Sequence, residues 1–296
     1  MSEFLQQLLN GLSLGAIYAL IALGYTMVYG VLRFINFAHA DVFMVGAFIG
    51  YYMGKIVPEG TIWGGLLTIF VAMIGCAILG MTIERVAYRR LRGGPTLNVL
   101  ITAIGVSLLL EYSGQVFFGA APRTFPALLP SLNFEISGLV ISTNQLAVIV
   151  LAAILVLGLQ FIVYRTKIGT AMRAVSLNPK AAQLVGVNND VVISFTFALG
   201  SALAAAGGIL YALNYPSIDP LMGVMPGLKA FVAAILGGIG NIPGAALGGL
   251  ILGTVETFVN GSQWSTYKDA IAFAILIVIL LFRPAGLLGK FTVEKV

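Results

Sequence analysis

The polar residues that interrupt the apolar stretches of this chain are few, and their types limit the chemistry open to them. "RFINFAHADVFM" places Asn36, His39 and Asp41 close together. His39 is the single histidine of the chain, so it cannot build a metal site by itself. In a helix Asn36 and His39, three apart, share a face, and Asp41 points elsewhere. Ionisable groups at membrane depth face protein or water. That leaves a hydrogen-bonded anchor, a proton relay or a substrate contact. Glu111 in "LLLEYSGQ" and Glu256 in "GTVETFVN" stand alone in their segments. Both read as structural hydrogen-bond partners, because no segment pairs two acids as general acid–base catalysis requires. No G-x-x-x-x-G-K-[ST] phosphate loop occurs, so the chain carries no nucleotide-binding motif of that kind.

A second polar stretch, "RAVSLNPKAAQLVGVNND", spans 173–190. Asn178 is a good N-cap, and Pro179 suits the first helical position, where its missing N–H costs nothing. Lys180, Ala181, Ala182, Leu184 and Val185 continue a helix that Gly186 ends by taking positive φ. The expected helix has about seven residues and measures about 10 Å. A helix that short does not persist alone in water, so it must dock on something. Ala181, Ala182, Leu184 and Val185 give it a small apolar surface. It is either a linker resting on its own chain or an end piece for a groove on a partner.

These groups are positioned by an almost wholly apolar chain. Of its 296 residues 59% are hydrophobic and 9% charged, with a mean hydropathy of +1.01. A soluble domain carries about 25% charged residues. Long apolar runs predict an all-α, polytopic helical membrane protein with about eight membrane helices; the short alternating segments of a barrel are missing. Spans are expected at 9–31, 35–53, 62–83, 97–118, 145–164, 191–213 and 267–282. The start "MSEFLQQLLNGL" has an acid and no basic residue before the apolar run, which predicts a retained helix and not a signal peptide. The pI near 9.4 records membrane orientation and not nucleic-acid binding. Cys76, in "AMIGCAILG", is expected to be a small buried residue.

Basic residues set the orientation. Arg33, Arg85, Arg89, Arg90, Arg92, Arg165, Lys167, Arg173, Lys180, Arg283, Lys290 and Lys295 fall on one side; Lys55, Arg123, Lys229 and Lys268 fall on the other. The first group is expected in the cytoplasm. Parity then puts the N-terminus outside and the C-terminus inside. The remaining apolar region, 227–259, must cross twice or not at all, as two short spans or a re-entrant hairpin. It is expected to break at Gly240, Asn241 and Pro243, and such backbone is tolerated only where protein buries it or it lines a cavity. Gly240, Gly244 and Gly248, then Gly249 and Gly253, recur every fourth residue; Gly11/Gly15 and Gly46/Gly50 repeat the spacing. Such stripes let another helix pack closely, within the chain or from a partner subunit.

"KAAQLVG" resembles the E-A-A-x-x-x-G loop of bacterial ABC importer permeases, with Lys180 where glutamate is usual. "GLSLGAIYALIALGYTMVYGVLRFINFAHADVFMVGA", "IERVAYRRLR", "AFVAAILGGIGNIPGAALGGLILG" and the closing "VEKV" resemble permease subunits of branched-chain amino acid ABC importers, nearest the LivH type, over essentially the whole chain. After "INFAH" the family pattern is Gly-Glu; here it is Ala40-Asp41. The resemblance implies a single transmembrane permease domain, 1–296, in the bacterial inner membrane, with a cytoplasmic coupling loop at about 165–190. It implies a non-enzymatic subunit with no cofactor or metal that works beside a second, homologous permease. Two cytoplasmic ATPases and a periplasmic binding protein for leucine, isoleucine or valine complete the assembly. Asn178, Pro179, Lys180, Ala181, Ala182, Leu184 and Gly186 would couple to the ATPase, while Asn36, His39, Asp41, Gly240, Asn241 and Pro243 fall at the pathway or helix break. A permease for urea or another small polar solute, a channel and a secondary transporter are the alternative readings.

Overall fold

A computed structural model describes residues 2–130, 132–136 and 138–289. The closing "VEKV", with Lys290 and Lys295, lies outside them. Among the described residues eleven α-helices follow one another: α1 (Ser2–Leu32), α2 (His39–Gly54), α3 (Ile62–Ile83), α4 (Thr96–Phe118), α5 (Thr143–Arg165), α6 (Lys167–Leu177), α7 (Pro179–Leu184), α8 (Asn189–Asn214), α9 (Val224–Gly237), α10 (Ile242–Asn260) and α11 (Lys268–Phe282). α3 runs on through one π-helical turn, Glu84–Tyr88, and a tight 3-10 turn, Arg89–Leu91. Two small antiparallel ribbons complete the chain: Arg123–Thr124 with Ser217–Ile218, and Asn133–Ile136 with Leu139–Ser142.

Among the described residues seven helices are long and apolar enough to cross a membrane. α2 and α9 are shorter, with 16 and 14 residues. The region 227–259 resolves into the antiparallel pair α9 and α10, of which α10 is long and apolar enough to cross a membrane and α9 is a shorter apolar helix. Gly238 and Gly240 turn the chain with φ of 106° and 92°. Ile242 is already helical, so Pro243 lies inside the first turn of α10 and the break falls just before it. α2 starts later than the span expected from residue 35, since Arg33 takes φ 59° and residues 33–38 are not helical.

The helices share two recognisable ends. At the basic end Gly240 abuts Gly30, Asn241 reaches Leu288, and Arg89 and Arg92 reach Asp190. At the far end Gln145 bonds Asn10, Asn144 bonds the Leu213 carbonyl, and Asn214 bonds Ser13. α1 is the axis: every residue from 13 to 28 is buried. The glycine stripes explain its packing. A Cβ on Gly249 would lie 2.4 Å from the Ala19 backbone, and one on Gly253 2.3 Å from Gly15; Gly244 and Gly248 face Gly237 and Ala233 of α9 instead. α10 therefore lies backbone to backbone against α1 on one face and α9 on the next, as small-residue spacing allows. Gly46 and Gly50 admit Ala205 and Ile209 of α8 in the same way. These stripes serve packing within the chain. α4, α5 and α11 keep most of their apolar surface outward, as membrane helices at a bundle's rim do. Cys76 is buried, as its sequence context predicts.

Candidate functional site

α7 forms as its residues predict, one residue shorter. The Asn178 side chain accepts from the Ala181 N–H at 3.0 Å, and Pro179 occupies the first turn. Gly186 takes φ 89°, and the Val187 N–H returns to the Ala182 carbonyl at 3.0 Å. Its end carries exposed apolar residues, Leu184 at 89% and Val185 at 78%; Lys180, Ala181 and Gln183 are also exposed, as is Leu177 at the end of α6. Ala182 differs from the expected outward surface. It is buried against its own chain, so its small size serves the seat of α7 and not a partner's groove.

Two connections fix α7 to the bundle. Asn189 donates from Nδ2 to the Pro179 carbonyl at 2.9 Å. Behind it α6 buries Met172 and Val175 and is capped by Thr166, whose side chain accepts from the Gly169 N–H at 3.2 Å. The first turn of α8 is capped by Asn188, with Asn188 Oδ1 accepting from the Asp190 and Val191 N–H groups. That turn is clasped to α3. Arg89 and Arg92 both bond Asp190, Arg92 also bonds the wholly buried Glu84, and Ser194 donates to Glu84. Burial lowers the Arg92 guanidinium from its ordinary value, although an arginine stays charged. A groove of about 990 Å³ runs between the clasp, residues 31–34 and α7. In the sequence these arginines serve only as orientation markers; a lone acid inside "IERVAYRRLR" is the signal for the clasp.

Asn36, His39 and Asp41 do not converge. Asn36 Oδ1 accepts from the Tyr88 hydroxyl at 2.6 Å. His39 lies edge-on to Tyr25, ring centroids 4.9 Å apart, in space left open by Gly24. Asp41 accepts from Ser107 of α4. Gly24 is eight residues before the end of α1 and also meets Gly200, so α2 starts about 12 Å inside the basic end. The start of α9 meets it there: Gly223 and Gly227 abut Ala40. Asn241 caps α10 by accepting from the Gly244 N–H at 3.2 Å and donates to the Leu288 carbonyl at 2.6 Å. With Gly240 and Pro243 it belongs to the turn at the basic end, away from His39.

Glu256 is a hydrogen-bond partner, as its isolation in the sequence predicts. It accepts from the Tyr18 hydroxyl at 2.8 Å and pairs with Lys229 at 2.5 Å. Lys229 also pairs with Asp269 at 2.6 Å. The sequence did not reveal this triad, whose members sit on α9, α10 and α11.

Residues 7–280 match the family described as branched-chain amino acid transport system / permease component. The high-affinity branched-chain amino acid transport system permease protein BraD of Pseudomonas aeruginosa is 44% identical, across 99% of this chain and 98% of its own. LivH of Escherichia coli K12, of the same description, is 41% identical with the same coverage, and a probable LivH permease of Methanocaldococcus jannaschii 28% identical over 91% of this chain and 88% of its own. No solved structure matches the chain. A match that runs from the first turns of α1 almost to the end of α11 makes this chain a member of the branched-chain amino acid transport permease family.

Proposed function

We propose that the chain is the transmembrane subunit of an ATP-driven importer of branched-chain amino acids, with its basic end in the cytoplasm and α7 as the piece that docks the ATPase. The observation that carries this is the placement of Leu184 and Val185, exposed at the end of a helix too short to stand alone, with Leu177 exposed at the end of α6, on a seat joined to α8 by Asn189 and by the Asp190 clasp. Large exposed apolar residues outside the membrane helices mark a surface meant to be covered. The rigid attachment lets closure of the ATPase push on α8, which packs against α1, α2 and α3. The names of the relatives support the cargo class. A second homologous permease, two ATPase subunits and a periplasmic binding protein complete the assembly; the bacterial inner membrane is its site, with the N-terminus outside. This subunit itself hydrolyses nothing.

The test is uptake by the assembled complex in liposomes with ATP inside and loaded binding protein outside. Labelled leucine should accumulate and labelled urea should not. Urea uptake without leucine uptake would overturn the assignment.

A further inference from the structure

The far end of the bundle holds a cavity of about 790 Å³ that the family match does not explain. It opens among the ends of α1, α5, α8, α10 and α11 and the start of α9. Its volume falls in the range of about 300–1,000 Å³ typical of small-molecule sites. Its floor is charged and built in: Lys229 and Glu256 are nearly fully buried, held together at 2.5 Å, with Tyr18 donating to Glu256. Buried charges at membrane depth are costly, and they persist where they pair or serve a ligand.

The pairing leaves acceptor capacity over. Lys229 neutralises Glu256 and still reaches Asp269, whose carboxylate is 42% exposed at the cavity mouth. Tyr18 and Lys229 engage the two Glu256 oxygens and Lys229 one oxygen of Asp269, which leaves the second Asp269 oxygen over. Asn144 adds an acceptor: its Nδ2 donates to the Leu213 carbonyl, while its Oδ1 is buried with no hydrogen-bond partner. Donors stand opposite in kind, in the Tyr211 and Tyr215 hydroxyls and the Lys268 ammonium. Leu14, Leu213, Met225 and Pro226 supply an apolar patch within the same lining. Free acceptors, free donors and a small apolar patch match the ammonium, carboxylate and hydrocarbon parts of one molecule.

We infer that this cavity is a waypoint site for a zwitterionic aliphatic α-amino acid, with Asp269 and Asn144 receiving its ammonium group. The inference rests on the importer reading, and it places part of the cargo's route inside this subunit. Recognition falls on the groups that all α-amino acids share, which leaves the choice among side chains to the binding protein.

The experiment uses the complete permease–ATPase complex in nanodiscs, without binding protein or nucleotide. Saturation-transfer NMR reads weak binding of leucine, corrected with empty nanodiscs. Leucine should show transfer with the native complex, and N-acetyl-leucine, which lacks the ammonium, should show at least about ten-fold less. Asp269→Asn and Asn144→Leu should each lower leucine transfer by a similar factor, while Glu59→Gln, at an exposed far-end carboxylate, should leave it unchanged. If Asp269→Asn does not assemble, Asn144→Leu decides. Equal transfer from leucine and N-acetyl-leucine, or undiminished transfer in the variants, overturns the inference. Leucine uptake by the native complex is measured beside it: its absence defeats the importer reading, and its presence with no leucine transfer defeats the waypoint alone.

Discussion

Asn189, in the first turn of α8, holds the carbonyl of Pro179, in the first turn of α7, at 2.9 Å. Residues 179–189 thus close into a loop that ties the two helices together, and the short helix gains the tertiary support that its length denies it.

Gly186 is where this loop turns, at φ 89° with open space around it. Gly186→Val should cost about 1 kcal/mol or more through backbone conformation alone, because no neighbour crowds the new side chain. The protein should still insert, and ATP hydrolysis should proceed with little leucine uptake. Hydrolysis and uptake measured side by side on one preparation check this; normal coupling in Gly186→Val would reduce α7 to a linker.

Ala182 tests the seat and Leu184 the tip. Ala182→Trp forces a large ring beneath α7 and should lift the helix from α8, lowering both thermal stability and ATPase retention. Leu184→Asp changes an exposed residue, so the melting temperature should stay within about 2 °C, as surface substitutions do, while the ATPase no longer co-purifies. The two variants separate folding from docking.

Glu84 is wholly buried and accepts from both Arg92 and Ser194. Glu84→Ala opens a void and removes the acceptor of Ser194, while Arg92 keeps Asp190 as a partner, so it should destabilise the chain by about 1–3 kcal/mol. Thermal unfolding in detergent reads the loss. Asp190→Ala, at a half-exposed carboxylate, should cost clearly less.

Gly249 fits against Ala19 with no room for a methyl group. Gly249→Ala should part α1 from α10 at a cost of about 1–3 kcal/mol, the range for overpacked cores. Unchanged unfolding would mean that the stripe is not a tight interface.

The long helices and α7 were legible because their signals are local. Apolar runs set the spans; Asn178, Pro179 and Gly186 set both ends of a six-residue helix. The boundary of α2 was not legible, because the turn at Arg33 and the Tyr88–Asn36 bond are imposed by packing. For the same reason Asn36 and His39 do not form the shared helical face that their spacing implies. Ala182 reads as surface from composition, and burial is a property of the seat. The triad of Lys229, Glu256 and Asp269 joins three helices across the chain, so no window of sequence contains it. The clasp is a middle case, since Glu84 and Arg92 are near neighbours but Asp190, the partner that Arg89 and Arg92 share, lies about a hundred positions on.

The orientation and the docking claim meet at Leu184. In a Cys76→Ser background, Leu184→Cys carrying a photoactivatable cross-linker is placed in the assembled importer. A cross-linked product with the ATPase subunit is expected, with no labelling of this cysteine by impermeant maleimide added outside intact cells. Outside labelling, or illumination that joins residue 184 to no ATPase, would contradict it.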